Sequence, residues 1–177
     1  MDAGSEERRR GAYERLGILA WALTALVLVS TFLGGLYRVD GVSMEPTLED
    51  GEVMVVCAVG EAPEAGDIVV FRKESFRPAP VVKRVIAVSG QTVEIDYEAG
   101  TVTVDGAVLD EPYLRAWMEQ QPYQTTVRAV VPEGQLFVMG DNRNDSDDSR
   151  DPDCGTVDAR LVLGQVVLVL WPFRWMG

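Results

Sequence analysis

Residues 16–37 contain no charged side chain, and beyond them the apolar positions break into short β-branched stretches separated by Gly, Pro and Asp. At about 1.5 Å of rise per residue, the first run is long enough for a helix across a hydrocarbon core of roughly 30 Å. The later pattern is that of strands. They are expected at residues 52–59, 67–72, 81–88, 91–97, 101–106, 125–131, 135–140 and 162–170. Turns at Gly66, Gly90, Gly100 and Gly106 join them as hairpins, which predicts a mainly β, antiparallel domain. The stretch at 161–170 is too short and too interrupted, by Gly164 and Gln165, for a second span and reads as a core strand. Between Leu109 and Gln124 the pattern weakens around Pro112 and Pro122, which predicts an insertion or loop within residues 97–124.

A cleaved secretory leader fits the first run poorly. Its apolar stretch exceeds the roughly 7 to 15 residues of a leader core, and no small-x-small site closes it. Arg8, Arg9, Arg10 and Arg15 precede the run and Arg38 alone follows it closely, so the positive-inside rule keeps the amino terminus in the cytoplasm. The expected organisation is a cytoplasmic tail (1–15), one transmembrane helix (16–37) and an extracytoplasmic β-rich domain (38–177). The final WPFRWMG sets two tryptophans and a phenylalanine beside one arginine, a composition that suits both a lipid headgroup layer and ordinary edge packing.

The formal charge of −12 lies almost wholly in that outer part, because the first 38 residues carry five arginines against four acids. Such a surface excludes nucleic acid as a partner. Cys57 and Cys154 have neither CxxC spacing nor a metal-ligand set around them, and Cys57 in VMVVCAV reads as a small buried hydrophobe.

The chain contains no histidine. A nucleophilic serine would therefore need lysine, carboxylate or metal as its activator. Ser43 stands where an extended VDGV meets EPT, and Pro46 imposes a turn. Lys83 lies in VVKRVIAV, where alternation puts Val81, Val85 and Ala87 on its face and Val82, Ile86 and Val88 with Arg84 on the other. Both faces are apolar, so periodicity does not say which cation is buried. Only lysine can give up its proton in the working range, and burial would lower its pKa. The loop MGDNRNDSDDSRD lacks the terminal glutamate of a calcium loop and contains competing arginines, so it reads as an ion-paired loop, Asp148 with Arg150, and not as a metal site.

Together the apolar run, GVSMEPTL at 41–48, GDIVVF at 66–71, VVKRVIAVSG at 81–90 and GDNRNDSDDSR at 140–150 resemble the bacterial type I signal peptidases, membrane-anchored serine-lysine endopeptidases. The resemblance implies a signal-peptidase-like β fold shared with self-cleaving repressor proteases, no cofactor, and preprotein signal peptides as substrates at the bilayer near the secretion translocon. It makes Ser43 the nucleophile and Lys83 the general base, with the Ser146 hydroxyl orienting the lysine amine and Asp148 and Arg150 as a structural ion pair. Substrate would lie extended between Asp40, Gly41 and Val42 on one side and Pro80, Val81 and Val82 on the other. Val39, Met44, Leu48 and Val82 would form shallow apolar pockets for an AxA site.

Two positions depart from the family pattern. Gly41 stands where some members supply a hydroxyl to the oxyanion hole, leaving the Ser43 N–H with Gly41 backbone or water as a second donor. DPDC intervenes between Arg150 and Gly155, a two-residue expansion. An anchored β domain that only binds extracytoplasmic partners is the rival reading.

Overall fold

The computed structural model describes residues 11, 13–24, 27, 33–58 and 62–176. Gly11, residues 13–24 and Val27 are helical. Among these, Leu16, Ile18, Leu19, Trp21 and Leu23 are all exposed, so the helix shows large apolar side chains on more than one face. No helix of the described residues is long and apolar enough to cross a membrane. The expected span differs from the structure at its far end. Residues 25, 26 and 28–32 lie outside the described residues, and β1 (Leu33–Arg38) is a strand. Its physical reason is pairing: Leu36, Tyr37 and Arg38 align antiparallel with Val55, Met54 and Val53, and Gly35 takes φ +141° at the irregular step before them.

The remaining strands are β2 (Val53–Cys57), β3 (Ile68–Phe71), β4 (Val81–Val88), β5 (Thr92–Asp96), β6 (Thr101–Val104), β7 (Ala107–Val108), β8 (Arg128–Val130), β9 (Gln135–Met139), β10 (Val157–Asp158), β11 (Val162–Trp171) and β12 (Phe173–Trp175). They form a large antiparallel sheet in the order β1-β2-β11-β3-β4-β9-β10, with β12 added to β11, and a small one in the order β7-β6-β5-β8. All eight expected segments contain a strand; β1, β7, β10 and β12 are additional.

The large sheet is covered on both faces, which is why all four residues of β3 are buried. Ile68 and Val70 pack with Val39, Met44, Leu48, Met54, Val166 and Val169. Val69 and Phe71 point the other way, to Val85, Leu136, Val138, Cys154 and Val157. A third core joins the sheets, setting Ile86, Ala87, Phe137 and Met139 against Val93, Ile95, Val102, Val104 and Met118. Cys154 is a buried free thiol, its pKa pushed up to about 12 by burial.

Candidate active site

Ser43 opens the turn at residues 43–47, which Leu48 N–H closes onto the Met44 carbonyl at 2.9 Å. Gly41 precedes it at φ +97°, a backbone region in which a Cβ is strained. Lys83 projects from β4 and is only 3% exposed. Its Nζ donates to Ser43 Oγ at 2.7 Å and to the Val82 carbonyl at 3.1 Å. Desolvation brings the ammonium down from 10.5 to about 8; the nearby Asp148 carboxylate opposes this, and Arg77 reinforces it. Alternation had left open which cation of β4 is buried. Arg84 leaves by the other face to a paired site, with Nε 2.8 Å and Nη2 2.6 Å from the Asp141 carboxylate and its guanidinium 4.0 Å over the Tyr113 ring.

Behind Lys83 lies the loop that follows β9. Asp148 and Arg150 are both fully buried and joined through Arg150 Nε to Asp148 Oδ1 and Nη2 to Oδ2, each at 2.8 Å. Ser146 does not bond to the lysine amine as expected: its hydroxyl donates to Asp148 Oδ2 at 2.9 Å. A carboxylate is the stronger acceptor, and the amine is already held by Ser43 and the Val82 carbonyl. Gly140 N–H also donates to Asp148 Oδ2 at 2.9 Å. Asn142 fastens this loop to the Ser43 turn, its N–H to the Ser43 carbonyl at 3.0 Å and its Nδ2 to the Val42 carbonyl at 3.2 Å.

The expected help from Gly41 at the oxyanion hole is not available, because its N–H donates to Asp50 Oδ1 at 2.8 Å. Ser43 N–H has no hydrogen-bond acceptor among the described residues and can meet an incoming oxyanion.

Two cavities meet at Ser43, Lys83, Asp40, Val81 and Arg77. One, about 310 Å³, runs along Val39, Met54, Val70, Pro80 and Val82 under Tyr37; the other, about 220 Å³, runs past Gly41 and Val42 to Asp145 and Asp147. Met44 and Leu48 line neither. Both are fully buried in the core beneath, because the tight turn folds them inward. Sequence reasoning missed Tyr37, Met54, Val70 and Arg77 as wall residues: the strands of Met54 and Val70 were legible but not their facing across the sheet, Tyr37 lies on the unexpected β1, and Arg77 lies in the connection between β3 and β4. β9 pairs with β4 only from Arg84 onward, so Val81, Val82 and Lys83 have no strand partner on their cleft side among the described residues.

Residues 13–171 match the family described as signal peptidase, peptidase S26. The chain belongs to this family. Signal peptidase IB of Staphylococcus aureus (strain COL) is 36% identical over 172 residues, covering 88% of this chain and 87% of the relative. Probable signal peptidase I-1 of a Synechocystis species is 36% identical over 174 residues, covering 92% and 84%. The crystal structure of a signal peptidase I from Enterococcus faecalis V583 is 31% identical, covers 60% of this chain and 97% of that one, and gives a TM-score of 0.49. Within the S26 family the chain is thus matched along nearly its whole folded part, the cleft and both loops around Ser43 and Lys83 included.

Proposed function

We propose that the chain is a signal peptidase I: a serine endopeptidase that removes N-terminal signal peptides from exported preproteins after small-x-small sites, using Ser43 and Lys83. The observation that carries this reading is the 2.7 Å contact between a buried lysine amine and the serine hydroxyl. In its neutral form Lys83 takes the Ser43 proton as Oγ attacks the scissile carbonyl, and the tetrahedral oxyanion is met by the Ser43 N–H. The ammonium so formed protonates the leaving amine, which departs as the new amino terminus. Water, deprotonated by the same amine, then opens the acyl-enzyme and restores Ser43.

The unpaired edge at Val81–Val82 suits an extended substrate strand, whose backbone hydrogen bonds read no sequence. Selectivity falls to the cavity under alternate side chains, where Val39, Met54, Val70 and Val82 leave room for small apolar groups.

The helix exposed on all sides fits a bilayer anchor with the amino terminus cytoplasmic and the catalytic domain on the exported side. That placement brings the cleft to membrane-embedded signal peptides near the translocon and raises their effective concentration. Cleavage of a detergent-solubilised preprotein with an AxA site tests the reading. Wild type should cut after the final alanine, while folded Ser43→Ala and Lys83→Met should not; equal cutting by all three would refute it.

A further inference from the structure

Residues 110–126, where the sequence pattern is weakest, are tied at several points to the loop that carries Gly140 and Ser146. Glu111, nearly buried, forms a two-pronged ion pair with the buried Arg143, whose Nε donates to the Gly140 carbonyl at 3.1 Å. Asn144 accepts the Glu119 N–H and donates to the Trp117 carbonyl, both at 2.8 Å. Gln124 is fully buried, and its Nε2 donates to the Ser146 carbonyl at 3.0 Å. The Thr126 N–H donates to the Arg150 carbonyl at 3.2 Å.

These ties fall on both ends of residues 140–146. One fixes the glycine packed against the Ser43 carbonyl; the other fixes the serine whose hydroxyl supports Asp148 beside Lys83. Buried polar and charged groups are costly unless fully partnered, so a buried amide and a buried carboxylate spent on one loop are strong geometric constraints on it. We propose that Glu111 and Gln124 are positioning residues for the serine-lysine reaction, holding the Gly140–Ser146 loop in register with Ser43 and Lys83. This rests on the peptidase reading above.

Neither residue lines either of the two cavities described at Ser43 and Lys83, so their loss should act on turnover and not on substrate binding. The full chain in detergent is compared as wild type, Gln124→Met and Glu111→Gln, with active sites counted by a serine-acylating probe. We expect kcat per titrated site to fall about tenfold in Gln124→Met and roughly threefold or more in Glu111→Gln, with KM within about twofold of wild type. A merely structural role would lower the titrated fraction and leave kcat per site unchanged, and that result overturns the proposal. If Gln124→Met does not fold, the milder Glu111→Gln decides it by the same readout. Failure of wild type itself to turn over would instead remove the peptidase reading on which the inference rests.

Discussion

Gly140 and Ser146 are packed so closely that a Cβ on the glycine would lie 2.2 Å from the serine Oγ; the same Cβ would lie 2.5 Å from the Ser43 backbone oxygen. Neither neighbour can yield, since one is main chain and the other is buried and bonded to Asp148. Gly140→Ala should therefore push the Gly140–Ser146 loop away from Ser43, the proposed nucleophile. Overpacking of this kind costs about 1–3 kcal/mol, or roughly 3–10 °C in melting temperature for a chain of this size. Activity should suffer more, by about 100-fold in kcat, because sub-ångström placement of the serine and its base is what fails. Melting and turnover measured on the same preparation check this; unchanged turnover would show that the loop has slack.

The low pKa of Lys83 makes rate and stability both rise with pH, over successive windows on either side of about 8. On the proposed serine-lysine mechanism cleavage needs the neutral amine, so kcat/KM should climb about tenfold per pH unit below 8 and level off above it. Stability follows from proton counting: between about 8 and 10.5 the unfolded chain keeps a proton that the folded one has released. Folding is therefore penalised most below pH 8, and the penalty fades as pH rises to 10.5. Lys83→Met removes it, and should stabilise the inactive protein at pH 7 by up to about 3 kcal/mol, with the gain shrinking above pH 8. Denaturant midpoints of both proteins across pH 6 to 10 read this directly.

How much of this was visible beforehand depends on how local each signal is. The eight expected strands are short apolar or β-branched stretches, alternating in burial in β5 and β6 and buried throughout in β3, and residues 81–88 coincide with β4 to the residue. β1 was hidden because its Leu-Gly-Gly-Leu-Tyr continues an apolar run, and only pairing with β2 separates it. β7, β10 and β12, two or three residues each, are strands only by virtue of their neighbours. Ser43, Lys83, Asp148 and Arg150 were legible through motif resemblance, and the structure sets Ser43 against Lys83 and Asp148 against Arg150. Gly140, Glu111 and Gln124 were not, because their roles are contacts between segments about 20 to 100 residues apart. Met44 and Leu48 were misplaced for a related reason: the sequence shows apolar character near the serine, but not which side of the turn faces the cleft.

Asp148 and Arg150 form a fully buried pair whose members depend on each other. Burial would raise the Asp148 carboxyl, but the Arg150 guanidinium, the Gly140 N–H and Lys83 hold it below its ordinary 3.8. Its contribution to stability is therefore present above pH 4 and lost as the solution is acidified further. Arg150→Met should cost about 3–5 kcal/mol at neutral pH by leaving the carboxylate unpaired. Asp148→Asn carries a second signature. Since that carboxylate favours the Lys83 ammonium, its neutralisation should move the acid limb of kcat/KM below pH 8 in whatever fraction still folds.

Trp171, Phe173 and Trp175 are exposed by 82%, 73% and 68%, on the paired ends of β11 and β12, with Leu36 of β1 also exposed in the same sheet. Isolated exposed apolar residues need no explanation, but three large aromatics within five residues are characteristic of an interface. At this exposure the three side chains make little packing contact with the described residues. If they sit at the headgroup layer, Trp171→Ser with Trp175→Ser should lower cleavage of a preprotein in lipid vesicles by about tenfold. The same pair should change cleavage in detergent micelles little, because micelles bring substrate and cleft together without an oriented surface. An equal loss in both media would mean that the aromatics support the β11–β12 pairing and not the approach to lipid.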